Sequence, residues 1–455
     1  MNVITDIAAQ NLTRTLAEQA RTLSYADLPD DVRTLARQCL LDYVACTLAG
    51  SKEELTEILL AEAQEQGGAP TATVIGHAAR LPVLSAALVN GAASHALDFD
   101  DVNMAMTGHP SVVLLSALLA LAEERGSSGR DVLTAFVAGY ELQCRLGLLL
   151  APGHYNVLGF HATGTLGSFG AAAACAHLLG LDAEKFATAL GIAGTQAAGL
   201  KSMFGTMCKP LHAGKAAYHG LLAARLARRG FTSRGDVLEC AQGFARTHSP
   251  DFNPAEALAE PPGGFHIRNN LFKYHAACYM THAPMEAARQ LREQHDLVPE
   301  QIARIRLSLD ESCDRVCNIP APRTGLEAKF SLRLTTAMAL AGVDTGGLGS
   351  YSEETAADPT LIALRDKVEF DFQHGRLNTL ADLELVLTDG RRVAASHDAG
   401  VPASDIESQG GRLAEKFTSL AEPILGREKT RDLLGEIGRI DALSDLHGLM
   451  RLCAA

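Results

Sequence analysis

From Leu28 onward the chain runs in long apolar stretches separated by short breaks at Pro, Ser, Asp and Gly. Leu28-Pro29-Asp30 to Gly50, Pro82 to Leu97, Pro110 to Glu124 and Gly129 to Leu150 each repeat apolar residues at three and four positions, which predicts helices. Their apolar faces are broad, so these helices are expected to be buried. From Gly164 through Ala197 the chain is dense in Gly and Ala, including Ala171-Ala172-Ala173-Ala174, which suits helices whose backbones approach closely. The pattern changes near Pro261-Pro262-Gly263-Gly264. After Pro299, Ile305, Leu307 and Leu309 alternate with polar residues, as do Val368, Phe370 and Phe372, then Leu383, Leu385 and Leu387 before an Asp389-Gly390 turn. This period of two predicts strands. The expected fold class is mainly α with a smaller α+β domain: a helical first part over 1–264, an α+β unit over 265–398, and helices over 399–455 that return to the helical body.

Composition narrows the function classes. The 455 residues are 47% hydrophobic and 20% charged, enough apolar material for a large core. A net charge of −13 argues against a nucleic acid or an anionic membrane as partner, since both require a basic surface. Met1 to Asp6 lacks the basic region and apolar core of a signal peptide, and no smooth apolar run is expected to span a membrane, so a cytoplasmic protein is expected. The 10 cysteines are scattered rather than spaced as a disulfide framework, and Cys313 with Cys317 has no second pair at zinc-ligand spacing. Reduced core thiols and no metal site are the expectation.

The candidate chemistry centres on SHALDFDDVNMAMTGHPS, Ser94 to Ser111, where titratable groups sit among small and apolar neighbours. His109 precedes Pro110, Lys209 precedes Pro210, His161 precedes Thr163-Gly164-Thr165, and His282 precedes Ala283-Pro284. All four lie at predicted helix starts, where unpaired N–H groups and a partial positive charge favour anions. With Lys273 and His275 in LFKYHAACYMTHAPMEA they suit a small polycarboxylate. Asp98 follows the end of a buried helix and is the suspicious acid, while Asp100 and Asp101 are accounted for either by a solvated loop or by a carboxylate that orients a neighbouring His or Lys. No HExxH or EF-hand spacing occurs, Gly214-Lys215-Ala216 is no P-loop, and Gly164, Gly167 and Gly170 are not spaced as a dinucleotide loop. What remains is acid–base chemistry without a cofactor.

The segments HALDFDD with HPS, GFHATGTLGSFGAAAA, CKPLHAGKAAYHG, FKYHAACYMTH and GLEAKFSLRL, in that order, resemble the MmgE/PrpD family. That family includes 2-methylcitrate dehydratase, cis-aconitate decarboxylase and iminodisuccinate epimerase. The resemblance implies a large all-helical domain with a smaller α+β lid, a homodimer, and no cofactor. It points to Asp98, His109, His161, Lys209 and Lys273 as catalytic, with His212, Tyr274, His275 and His282 around the substrate. Lys209 and Lys273 would hold carboxylates while His109 and His161 exchange protons and Asp98 orients a partner. FKYHAACYMTH looks most like the epimerase branch, and Val102 stands where the decarboxylase pattern has Thr, so epimerisation next to a carboxylate is the expected reaction. Dehydration of the 2-methylcitrate type or decarboxylation of the cis-aconitate type is the alternative. A metal-dependent hydrolase and a non-catalytic polycarboxylate-binding protein are the rivals from other classes.

Overall fold

The computed structural model describes residues 11–455, which form two compact units. The first runs through Phe272 and resumes at Asp405–Ala455; the second is Lys273–Ser404. The fold is mainly α with a smaller α+β unit.

Short helical turns aside, the first unit contains α1 (Leu12–Thr22), α2 (Asp30–Gly50), α3 (Glu54–Gln66), α4 (Val83–His95), α5 (Pro110–Arg125), α6 (Gly129–Leu150), α7 (Ala162–Leu178), α8 (Ala183–Gly194) and α9 (Cys208–Arg228). Punctuation by short side chains explains several bounds. Ser128 accepts a hydrogen bond from the Asp131 N–H at the start of α6, and Pro110 opens α5, which stops at Gly126 in a left-handed conformation. Helix α7 packs against α6 and α9, and α9 also packs against α4. That last contact requires glycine: a Cβ on Gly91 of α4 would lie 2.8 Å from the Cα of Gly214 on α9. The tail helix Ile406–Leu425 packs on α2. Helix α6 is long and apolar enough to cross a membrane by length and composition, contrary to the expectation of no such run. Its apolar window is 83% buried inside the fold.

Phe265–Phe272, expected at the start of the α+β unit, belong to the first unit. Glu141 accepts hydrogen bonds from the His266 and Ile267 N–H groups, Arg268 pairs with Asp31 at 2.6 Å, and Leu271 exchanges backbone hydrogen bonds with Val102. These bonds tie the segment back to the helical body.

The second unit holds a four-stranded sheet. Strand β1 (Ile302–Asp310) pairs in parallel with β2 (Val368–Gln373) and antiparallel with β3 (Leu380–Leu387), which pairs antiparallel with β4 (Arg392–Asp398). The alternation puts Ile305, Leu307, Leu383 and Leu385 into a core covered by α10 (His282–His295), against which α11 (Leu332–Leu340) packs. All 10 cysteines are free thiols, and Cys208 is exposed rather than a core residue.

Candidate active site

Three helix starts and one loop converge in the first unit. The loop begins where α4 ends at His95 and includes Asp98, whose φ of 51° places a non-glycine residue in the left-handed region. His109 caps α5, and its N–H donates to Thr163 Oγ1 in the first turn of α7 at 3.1 Å. His161 caps α7, and its N–H is held by the Gly199 carbonyl at 3.0 Å. Lys209 and His212 lie in the first turns of α9.

The acids depart from the solvated-loop reading. Asp98 is the exposed one, with 56% of its side chain accessible, while Asp100 and Asp101 are fully buried rather than solvated. Phe99 turns into the core between them and its carbonyl accepts from Lys416 Nζ at 2.8 Å. That buried lysine, on the tail helix, also pairs with Asp42 at 2.6 Å and lies over the Phe99 ring. Burial works against its charge, but Asp42 and the nearby acids outweigh it and hold the Lys416 pKa above the ordinary value. Asp101 accepts from the hydroxyl and the N–H of Ser111, and burial together with Asp42 pushes its pKa up to about 7.

Asp100 lies between two imidazoles. His95 Nδ1 is 3.0 Å from both carboxylate oxygens, and His109 Nδ1 is 2.8 Å from Oδ2. Burial alone would raise the Asp100 pKa, yet the two rings hold it well below the ordinary value. The other ring nitrogen of His109, Nε2, is 3.4 Å from Asp98 Oδ1, and that same oxygen accepts from Lys209 Nζ at 2.7 Å. His161 and His212 meet Nδ1 to Nδ1 at 3.0 Å, so one of the two carries the shared proton. Burial, reinforced by His95, Lys209 and His109, drives the His161 pKa far down and keeps the ring neutral. Phe204 stands edge-on to His161 at 4.9 Å and lies 5.6 Å from Lys209 Nζ.

The site therefore brings together Asp98, His109, His161, Lys209 and His212. His95 and Asp100 join them, and neither was singled out from sequence. The signal available was the spacing: His95 stands three residues before Asp98 on a buried helix end, and DFDD is too short, between apolar neighbours, for every acid to reach water. Among the described residues, His95, Asp98, Asp100 and His109 place donor atoms within 4.8 Å of one another, close enough to surround an ion. The Lys209 ammonium already supplies positive charge there, and Asp100 is closed on both sides by rings. The donor set fits proton transfer better than a metal centre.

Lys273, Tyr274, His275 and His282 lie in the second unit. Lys273 is buried, with Nζ 5.9 Å from the centre of the Tyr279 ring. Tyr274 is half-buried, with its carbonyl close to Gly346. Both ring nitrogens of His275 are engaged, Nδ1 by Thr345 Oγ1 at 2.6 Å and Nε2 by Glu286 at 3.0 Å, so this ring braces the segment and offers no nitrogen to a substrate. His282 is the first residue of α10 and meets the Ala277 carbonyl at 3.3 Å. Burial, then His275 and Lys273, hold its pKa well below the ordinary value.

Comparison with known proteins places these elements in context. Residues 14–257 match the MmgE/PrpD N-terminal domain and residues 275–437 the MmgE/PrpD C-terminal domain. The chain is 30% identical over 461 residues to a cis-aconitate decarboxylase of Homo sapiens, covering 97% of this chain and 94% of the relative. It is 27% identical over 476 residues to a cis-aconitate decarboxylase of Aspergillus terreus, covering 98% and 96%, and 28% identical over 465 residues to one of Mus musculus, covering 97% and 93%.

Proposed function

The chain belongs to the MmgE/PrpD family, and from that premise we propose that it is a lyase decarboxylating a small unsaturated tricarboxylate of the cis-aconitate type. The relatives move the reading away from the epimerisation suggested by FKYHAACYMTH. Val102 does not stand against it: its N–H and C=O both bond to Leu271, so backbone rather than a side-chain hydroxyl pins the loop after DFDD.

The observation that carries the proposal is the unequal pair of histidines. His109 stands between the Asp98 and Asp100 carboxylates, Nε2 3.4 Å from the first and Nδ1 2.8 Å from the second, whereas His161 is buried beside Lys209 and stays neutral. An epimerase needs two proton-exchange groups on opposite faces of one carbon. A decarboxylase acting on a β,γ-unsaturated acid needs one donor. The bond from the departing carboxylate to the methylene carbon breaks and its electron pair forms a new double bond. The old double bond takes one proton at its far carbon, so that a trianion and a proton give CO₂ and an unsaturated dicarboxylate. His109 Nε2 supplies that proton. Lys209 and the neutral His161–His212 pair hold the remaining carboxylates, where fixed charge and donors stabilise the developing anion.

The test is incubation with cis-aconitate, 2-methylcitrate and iminodisuccinate stereoisomers in deuterated water, followed by NMR. CO₂ release from cis-aconitate with one deuteron entering the product supports the proposal. Deuterium washed into recovered substrate without CO₂ selects epimerisation, and water loss selects dehydration.

A further inference from the structure

His95 spends a buried imidazole in a place where a leucine would fill the space. Its side chain has no solvent access, its Nδ1 reaches both oxygens of Asp100 at 3.0 Å, and its Nε2 is buried with no hydrogen-bond partner. An unpaired buried nitrogen costs stability. Something must offset that cost, and the Nδ1 contact is the only polar bond the ring makes among the described residues.

We propose that His95 is a positioning residue: from the core side of Asp100 it donates its Nδ1–H to the carboxylate and fixes the orientation in which Asp100 holds His109. The inference rests on His109 being the proton donor of the reaction proposed above. The geometry leaves His95 one workable tautomer. With the proton on Nδ1 the ring bonds Asp100 and only the weaker penalty of an idle lone pair remains, whereas a charged ring would bury a second N–H with no acceptor. Burial pushes the His95 pKa down to about 4, in agreement with a neutral ring. A neutral donor leaves the negative charge of Asp100 available to His109 while taking up part of its basicity. The His95 ring also lies edge-on to His109 at 4.5 Å and stacks on His161 at 5.7 Å, so it spaces the two working histidines.

His109 is faced by Asp98, Asp100, His95, Lys209 and His161, and Asp100 by His95, His109 and, at longer range, Lys416 and Asp101. Of these, His95 is the one whose removal strips a donor from Asp100 without removing a charge. The full-length chain and its variants His95→Phe, His95→Asn and His95→Gln can be compared by ¹⁵N NMR of the imidazoles without substrate, and by kcat and KM against pH with cis-aconitate. In His95→Phe the His109 midpoint should rise by about one unit, because an Asp100 carboxylate lacking a donor holds the His109 proton more tightly. With it kcat should fall about 10-fold or more while KM stays within a few-fold. His95→Asn, whose amide N–H takes the position of Nδ1, should restore the midpoint and most of kcat. His95→Gln, which reaches to the position of Nε2, should not. In wild type the His95 signals should be those of the neutral Nδ1–H tautomer. An unmoved His109 midpoint in folded His95→Phe, an Nε2–H tautomer, or equal impairment of His95→Asn and His95→Gln would overturn the proposal. If His95→Phe does not fold, the Asn and Gln pair decides. The NMR titration needs no turnover, so its failure is distinct from a failure of the decarboxylase reading.

Discussion

Lys209 and Lys416 make nearly the same bond to the same kind of partner, and they do so on two sides of one loop. Lys209 meets Asp98 at 2.7 Å, and Lys416 meets Asp42 at 2.6 Å while also holding the Phe99 carbonyl. Their surroundings differ. The Lys209 and Asp98 side chains are 16% and 56% accessible, and those of Lys416 and Asp42 are 3% and 1%. An exposed pair is worth little and exchanges partners readily, whereas breaking a buried one strands a charge in the core. On the proposed function, the outer lysine can therefore leave Asp98 for a substrate carboxylate at small cost. The inner lysine keeps the DFDD loop in place while that exchange happens. The difference separates a working ion pair from a structural one, although both look alike in bond length.

The largest effect expected from this contrast is on the inner pair. Lys416→Met should destabilise the fold by about 3–5 kcal/mol, because the buried Asp42 carboxylate loses its ammonium partner, and the double variant Asp42→Leu/Lys416→Met should recover much of the loss. Urea denaturation measures both; a Lys416→Met protein of wild-type stability would break the comparison.

Acid should act next, and again on buried groups. Burial holds the pKa of His95, His154 and His266 down to about 4 in the folded chain, against an ordinary value of 6.5. Between those values the unfolded chain binds more protons than the folded one, so stability rises with pH and is lost as pH falls. From pH 7 to 5.5 the loss should be about 1 kcal/mol for each of these histidines. Urea midpoints at the two pH values measure it, and a midpoint unchanged or higher at pH 5.5 would contradict the burial argument.

The outer pair should show the opposite profile. Lys209→Ala should cost about 1.5–3 kcal/mol of substrate or transition-state binding, roughly 10- to 150-fold in kcat/KM, with Tm almost unchanged. Lys209→Arg should rescue only in part, since a planar guanidinium is larger than the compact ammonium it replaces. Equal losses of stability and activity would place Lys209 with Lys416. The smallest effect belongs to Lys215→Ala on the same helix. Lys215 is exposed and lies 5.5 Å from the Tyr218 ring, and its kcat/KM should stay near wild type. A loss as large as that of Lys209→Ala would move the anion site along α9.

The contrast also shows what could be read from the chain. Helix α6 was legible to the residue because Ser128 caps it and the apolar period runs unbroken to Leu150. The sheet was legible from alternation and the Asp389-Gly390 turn, since a period of two survives in sequence whenever one face is buried. The helix starts that carry His109, His161 and Lys209 were legible because Pro and Thr-Gly-Thr mark them. The roles of Asp98 and Asp100 were not separable, because burial of a carboxylate depends on partners that the fold supplies. Lys416, which seats Phe99, lies 317 residues away from it. The partners of His275 were hidden for the same reason. Its place beside Lys273 suggested a substrate contact, whereas Thr345 and Glu286, distant from one another in sequence, take both ring nitrogens.

The central claim is that the loop presents one proton donor, His109, beside an exchangeable Asp98–Lys209 pair. The most direct measurement is the rate of CO₂ release from cis-aconitate in deuterated water, with NMR of the product, for wild type and His109→Asn side by side. Wild type should release CO₂ with a single solvent deuteron in the new methylene. His109→Asn, folded to the same Tm, should lose both signals together by about 10²–10⁴-fold. Release of CO₂ at the wild-type rate by folded His109→Asn, or solvent deuterium exchanged into wild-type substrate with no CO₂, would contradict the account.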